Sequence, residues 1–412
     1  APGFRPTLNS YLWADALAIA DFARRQGDAQ TAERFEKQAA VIKSNLQSRL
    51  WDPKRRFFYH MARDDEENGG FQVKALSLTH QTGRFAGDPH GRELIGYVPW
   101  MFGLPDPGYE SAWRLLMDKD AFLAPFGPSV TEREDPLFLI SPTCCYWSGQ
   151  SWPYATSQTL VALANLLRDY RQTEVTRADY VRLLRTFART HRKDGRPYIA
   201  EAAHPDTGSW EGHDSHNHSE HYFHSSYVDV IVTGLIGLRP RSDEVLVVQP
   251  LASEEWRYFA LDEVLYRGRL LSILWDRDGT RYHKGMGLSV WVDGREAARA
   301  PRLERLQVSL PPRARSAVVF PRLVNHAVNN DGADFPRISS SFETDRTPSK
   351  QAQDGNFWYH RSPTNRWTTE GSPNSSDWCE VDFGIERPVH TVKLYVLDDG
   401  PGHQCRSVRR RR

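Results

Sequence analysis

Three stretches of the sequence are rich in aromatic and glycine residues, two of them with carboxylates, in a way suited to chemistry on a sugar. They are Arg92-Glu93-Leu94-Ile95-Gly96-Tyr97-Val98-Pro99-Trp100, Cys145-Tyr146-Trp147-Ser148-Gly149-Gln150-Ser151-Trp152-Pro153-Tyr154, and Tyr198-Ile199-Ala200-Glu201-Ala202-Ala203-His204-Pro205-Asp206-Thr207-Gly208. Cleaving a glycosidic bond takes two carboxyl groups, one to protonate the leaving oxygen and one to activate water or attack the sugar. Glu93 and Glu201 are the candidates within these stretches. Glu93 equally suits a pairing with Arg92 or a helix cap, and otherwise reads as an acceptor for a sugar hydroxyl. Trp100, Trp147, Trp152 and Tyr154 offer flat apolar faces on which a sugar ring can stack. A Trp beside a Pro is equally at home in packing between helices.

His204, His213, His216, His218, His221 and His224 crowd one region and invite a zinc reading, since imidazole is the usual nitrogen ligand. The spacing argues against it. No cysteine pair accompanies them and no two-His helical face with a carboxylate is present, so no metal is expected. His204, His221 and His224 are read instead as hydrogen-bonding groups near a pocket. Glu220, beside His221, is a reserve candidate for the catalytic carboxylate.

The elements that must position these loops are helical. Apolar residues recur at helical spacing from Leu8 to Leu50, with Gly27-Asp28 between two arms, which predicts a helical hairpin closed at Trp51-Asp52-Pro53. Further helices are expected near Tyr109 to Met117, from Ser157 to Tyr170, from Arg177 to Thr190, and from Ser225 to Ile236. Paired helices joined by long aromatic loops point to an α/α toroid rather than a parallel-sheet enzyme.

At this point the chain resembles the mannosylglycerate-hydrolase-like branch of the six-hairpin glycosidases, near glycoside hydrolase family 63. The resemblance runs from about Arg5 to Arg241. It is carried by Arg5-Pro6-Thr7-Leu8-Asn9-Ser10-Tyr11, by the hairpin with Trp51-Asp52, by the Trp-rich loop, and by His221-Tyr222-Phe223-His224-Ser225-Ser226-Tyr227-Val228-Asp229. It implies that Glu201, followed by Pro205-Asp206-Thr207-Gly208, is the general base of an inverting, exo-acting hydrolase of α-linked glucosides or mannosides. It also implies that the partner acid, an Asp preceding the Arg-Pro-x-x-Asn-Ser stretch, lies upstream of residue 1. The chain is therefore expected to be a fragment, inactive alone.

Composition narrows the partners. Lys and Arg total 53 against 52 Asp and Glu, so bulk charge favours no polyanion and no nucleic-acid partner is expected. No apolar run is long enough to span a bilayer. Four cysteines, two of them adjacent at Cys144-Cys145, form no disulfide framework.

After Gly237 the pattern changes to short alternating runs: Val245 to Val248, Val264 to Tyr266, Leu271 to Trp275, Leu288 to Val292 and Ala317 to Phe320. Turns at Asp278-Gly279 and Asp293-Gly294 separate some of them. This predicts an antiparallel β-sandwich over 239–324, and it looks like the small β-domain that follows the barrel in related glycosidases. A polar linker, 325–334, leads to 335–400, which resembles a discoidin (coagulation factor 5/8 type C) module. Ser339-Ser340-Ser341-Phe342, Ala352-Gln353-Asp354-Gly355, Arg366-Trp367-Thr368-Thr369 and Asp377 to Gly384 carry that resemblance. It implies a partial β jelly roll, a glycan ligand, a structural calcium near Asp354 and an extracellular location, with Trp367 and Trp378 as core anchors. Residues 401–412 read as a tail outside any domain. The fold expected is thus an incomplete (α/α)6 toroid over 1–238, a sandwich, and a truncated jelly roll. The rival readings are a non-catalytic glycan-binding protein and a lyase or phosphorylase on the same barrel.

Overall fold

The computed structural model describes residues 3–68, 71–79, 81, 86–88, 91–135, 138–139, 147–193, 196–210, 226–310, 324–330, 333–356 and 364–396. Its contacts divide into two units, 1–313 and 314–412.

The first unit opens with helices α1, Pro6–Arg25, and α2, Ala29–Asn45. Pro6 sits in the first turn of α1, where its missing N–H costs nothing. Gly27, at φ +80°, turns the chain, and the Asp28 carboxylate caps α2 by accepting from Thr31 N at 3.0 Å. Small buried residues, Ser10, Ala16, Ala20 and Ala23 on α1 with Ala32 and Ala39 on α2, let the helices pack closely. A π-turn, Leu46–Leu50, ends the hairpin and delivers Trp51-Asp52 to a two-stranded pairing with Phe57–Phe58.

A short helix α3, Val98–Met101, packs against α4, Pro153–Asp169, which is buried along most of its length. Helix α5, Arg177–Arg189, starts on a capping box in which Thr176 and Asp179 satisfy each other's backbone N–H groups. The last helical segment, α6 at Tyr227–Asp229 followed by a π-helix over Val230–Ile236, stops at Gly237 with φ +91°. A Cβ there would lie 2.2 Å from the Gln249 carbonyl carbon, so only glycine fits. The expected helix near Tyr109 is a 3-10 segment, Glu110–Leu115.

Two antiparallel sheets follow. Tyr258–Tyr266, Arg269–Asp276, Gly287–Val292 and Arg295–Ala300 form a four-stranded meander; Leu306–Ser309, Val245–Val248 and Leu238–Arg239 form a three-stranded sheet in that order. Asp293 (φ 51°) and Gly294 (φ 77°) make the tight turn that the Asp-Gly signal predicted. One hydrophobic cluster, from Leu46 through Trp100, Leu163 and Phe187 to Ile273 and Leu310, runs through helices and sheets alike. The expected strand at Ala317 to Phe320 lies outside the described residues.

In the second unit the described residues hold one antiparallel pair, Arg337–Ser340 with Cys379–Asp382, and a 3-10 turn at Ser349–Gln353. The Trp367 indole donates to Phe342 O at 2.7 Å. Trp378 is 54% exposed, which corrects its expected role as a core anchor. Val392, Leu394, Tyr395 and Val396 are exposed and take no part in a strand.

Candidate active site

Four non-helical segments are stitched edge to edge in the first unit. Glu93 pairs antiparallel with Thr131, with Leu94 N donating to Val130 O at 2.9 Å and Glu132 N to Arg92 O at 3.0 Å. Val130 N then donates to Gln150 O at 3.0 Å, and the Thr131 hydroxyl to Trp147 O at 3.0 Å. Ser151 and Ala203 exchange both backbone bonds at 2.9 Å. Glu93, Trp147 and Glu201 therefore ride on one continuous ladder, although they are far apart in sequence.

Glu201 is half-buried between the buried Ala200 and Ala202. The loop after it is fixed by its own backbone. Phe126 N donates to Pro205 O at 2.9 Å, Gly208 N to His204 O at 2.8 Å, and His204 N to Ser209 O at 2.9 Å. Gly208, at φ +68°, lies where a Cβ would be 2.5 Å from the Phe126 ring. The His204 Nδ1 accepts from Asp206 N at 3.2 Å, so this imidazole shapes the turn. Arg133 forks onto the Asp206 carboxylate across the loop.

The aromatic candidates separate into two groups. Trp147 stacks on Trp152 with centroids 4.2 Å apart and meets Tyr154 edge-on at 6.4 Å. Trp152 is buried, whereas Trp147 and Tyr154 are 38% and 39% exposed, which leaves an aromatic ledge open to a ligand. Gln158 holds the Tyr154 hydroxyl at 3.3 Å. Trp100 is different. It is fully buried, 5.5 Å from Trp113 and 5.6 Å from Phe58, with no open face, and this corrects its expected sugar-binding role.

Glu93 Oε2 lies 3.8 Å from His60 Nδ1, and its side chain keeps only 19% of its surface exposed. Burial pushes its carboxyl above the usual range; Arg5 opposes this and the Asp135 charge adds to it. Burial likewise raises Glu132, against the pull of Arg92 at 2.6 Å. Folded Glu93 thus keeps its proton to a higher pH than it does in the unfolded chain. Its contribution to stability is complete below about pH 4.5 and is lost as pH rises through the folded value. Glu93→Gln, which cannot ionise, is expected to gain on the wild type in urea unfolding between about pH 4 and about pH 7. Parallel pH dependence of the two proteins would refute the assignment.

The charged run Thr131-Glu132-Arg133-Glu134-Asp135 carries site residues that sequence reasoning missed. Such runs ordinarily face solvent, yet Glu132 and Asp135 are 5% and 9% exposed. Glu220, His221 and His224 lie outside the described residues. Among the described residues no three His, Cys, Asp or Glu side chains converge as metal ligands. In the second unit the Asp354 carboxylate accepts from Asn356 N at 2.8 Å, Asn356 Nδ2 at 3.1 Å and Asn365 Nδ2 at 3.4 Å.

Comparison with known proteins bears on both the helical and the sheet-forming parts of the first unit. Residues 238–298 match the glycosyl hydrolase family 65 C-terminal domain. Among solved structures, a protein called a sialidase is similar over 74% of this chain at 38% identity, with a TM-score of 0.66; this chain spans 26% of its length. The GH63 mannosylglycerate hydrolase from Thermus thermophilus, in complex with glucose, matches over 56% at 16% identity with a TM-score of 0.37, and 48% of its length is spanned. An uncharacterized conserved protein from the same organism matches over 50% at 16% identity with a TM-score of 0.36, with 44% spanned. Residues 1–225, more than half of the sequence, match the mannosylglycerate hydrolase MGH1-like glycoside hydrolase domain, and the chain belongs to that family.

Proposed function

We propose that the chain is the later part of a secreted, exo-acting glycosidase of the (α/α)6 toroid type that cleaves α-linked glucosides or mannosides with inversion. Glu201 takes a proton from a water molecule as its oxygen bonds to the anomeric carbon. The bond from that carbon to the leaving group breaks on the opposite face, and the leaving oxygen accepts a proton from a second carboxyl group. Trp147 and Tyr154 bear on the sugar face, and Glu93 accepts from a hydroxyl. The observation that carries this reading is the ladder, which fastens the loop of Glu201 to the Trp147–Trp152 loop through Ser151 and Ala203.

A neutral hexoside is favoured over an anionic sugar. Among the described residues, the guanidinium groups carried on the ladder itself, Arg92 and Arg133, are already engaged by Glu132 and Asp206. The order of motifs in 335–400 supports a discoidin-like glycan-binding module as an accessory.

Glycosyl fluorides test the reaction directly. Fluoride departs without protonation, so the assay reads the base independently of whichever group serves as acid. With α-mannosyl or α-glucosyl fluoride, proton NMR of the first product is expected to show the β-anomer. An α-anomer first, or no turnover of either fluoride by folded protein, would reject the proposal.

A further inference from the structure

Arg133 has no partner role in the chemistry above, yet it touches both loops that the chemistry needs. Its guanidinium donates to Asp206 through Nη1, at 3.0 Å from Oδ2, and through Nη2 to Oδ1. Asp206 lies in the tight turn just after Glu201, and the arginine beside it holds its carboxyl below the usual range. The same guanidinium sits 5.4 Å over the Phe138 ring. Phe138 in turn fills the space beside Gly149, where a Cβ would come within 2.7 Å of the ring. Gly149 belongs to the loop that presents Trp147 and Trp152. Arg133 is itself anchored, its backbone N donating to Ala121 O at 3.0 Å, and its side chain is only 23% exposed.

We infer that Arg133 is a positioning residue that sets the spacing between the Glu201 loop and the aromatic ledge. This rests on the reading of Glu201 as the base. The choice of arginine follows from the task. A planar fork can bind a carboxylate with two parallel bonds while its flat face lies on a phenyl ring, whereas a lysine ammonium supplies a single point charge and no face. Cutting the fork leaves the backbone ladder in place but frees the turn after Glu201 to shift. A displacement of about an ångström at a reacting group can cost about 100-fold in rate.

The test uses the full protein and α-mannosyl fluoride or α-glucosyl fluoride, whichever is turned over. Arg133→Ala is expected to lower kcat by about 10- to 100-fold with KM changed less than about threefold. Arg133→Lys should recover only part of the loss. Asp206→Asn, an isosteric change, should lower kcat to a similar degree, and the double variant should be no worse than either single one, because all three break the same link. Wild-type kcat in folded Arg133→Ala, or effects of the two single changes that multiply, would overturn the inference. Should Arg133→Ala not fold, Asp206→Asn alone decides, and wild-type kcat in it would count against the inference. Glu201→Gln run alongside separates the two readings. An active Gln variant condemns the base, while an inactive Gln variant beside a wild-type-like Arg133→Ala condemns only the positioning role.

Discussion

Glu201→Gln is expected to lower the turnover of an α-glycosyl fluoride by about 100- to 10,000-fold, the usual weight of a general base. The amide matches the carboxylate in shape but cannot take the proton of the attacking water. The loop keeps the backbone bonds that hold it, Ser151 with Ala203 and Phe126 with Pro205, because the substitution leaves the main chain unchanged. Since binding is left alone, KM should move little while kcat and kcat/KM fall together. Turnover within about twofold of wild type, with an unchanged melting curve, would remove Glu201 from the mechanism and pass the role to Glu220.

Trp100→Ala is expected to cost about 3–5 kcal/mol of stability, read as a lowered urea midpoint. The indole is enclosed by Phe58 and Trp113, and the backbone carbonyl of Trp100 accepts from Asn165 of α4 at 3.1 Å, so the residue joins α3 to the long buried helix. Removing it opens a cavity that rigid neighbouring rings cannot fill. The folded fraction should bind a glycosyl fluoride as before. An unchanged midpoint accompanied by a raised KM would instead make Trp100 a sugar platform and contradict its burial.

Much of the helical framework was legible because periodicity reports it directly. The hairpin expected over Leu8 to Leu50 is α1 and α2 with its π-turn, and the helix expected at Arg177 to Thr190 is Arg177–Arg189. Val245–Val248 was read to the residue, since a short apolar run between turn signals has few alternatives. Arg295–Ala300 and Leu306–Ser309 were missed. Arg295–Ala300 is polar or small throughout, and Leu306–Ser309 is an alternation of only four residues, so their sheet partners make strands of them. The candidate site was legible in its residue types and less so in its assembly. Glu93, Trp147 and Glu201 stood out singly, but the strand-like bridges that join their loops depend on contacts between segments distant in sequence, which no local pattern encodes. The burial of Glu132 and Asp135 was hidden for the opposite reason, because their own neighbourhood looks solvated.

The passage from helices to sheets at Gly237 has implications for how the molecule can be divided. Arg168 of α4 donates to Thr233 O and Gly234 O at 2.9 and 2.8 Å, and the amides of Leu251 and Ala252 reach back to Leu235 O, both at 3.1 Å. The carbonyls at the end of the π-helix are therefore spoken for from both directions. No clean seam exists between the two kinds of secondary structure. A cut there would strand a buried cation on one side and bare amides on the other, so the β-region is better regarded as the closing wall of the helical part than as an appendage that could be cut away without loss.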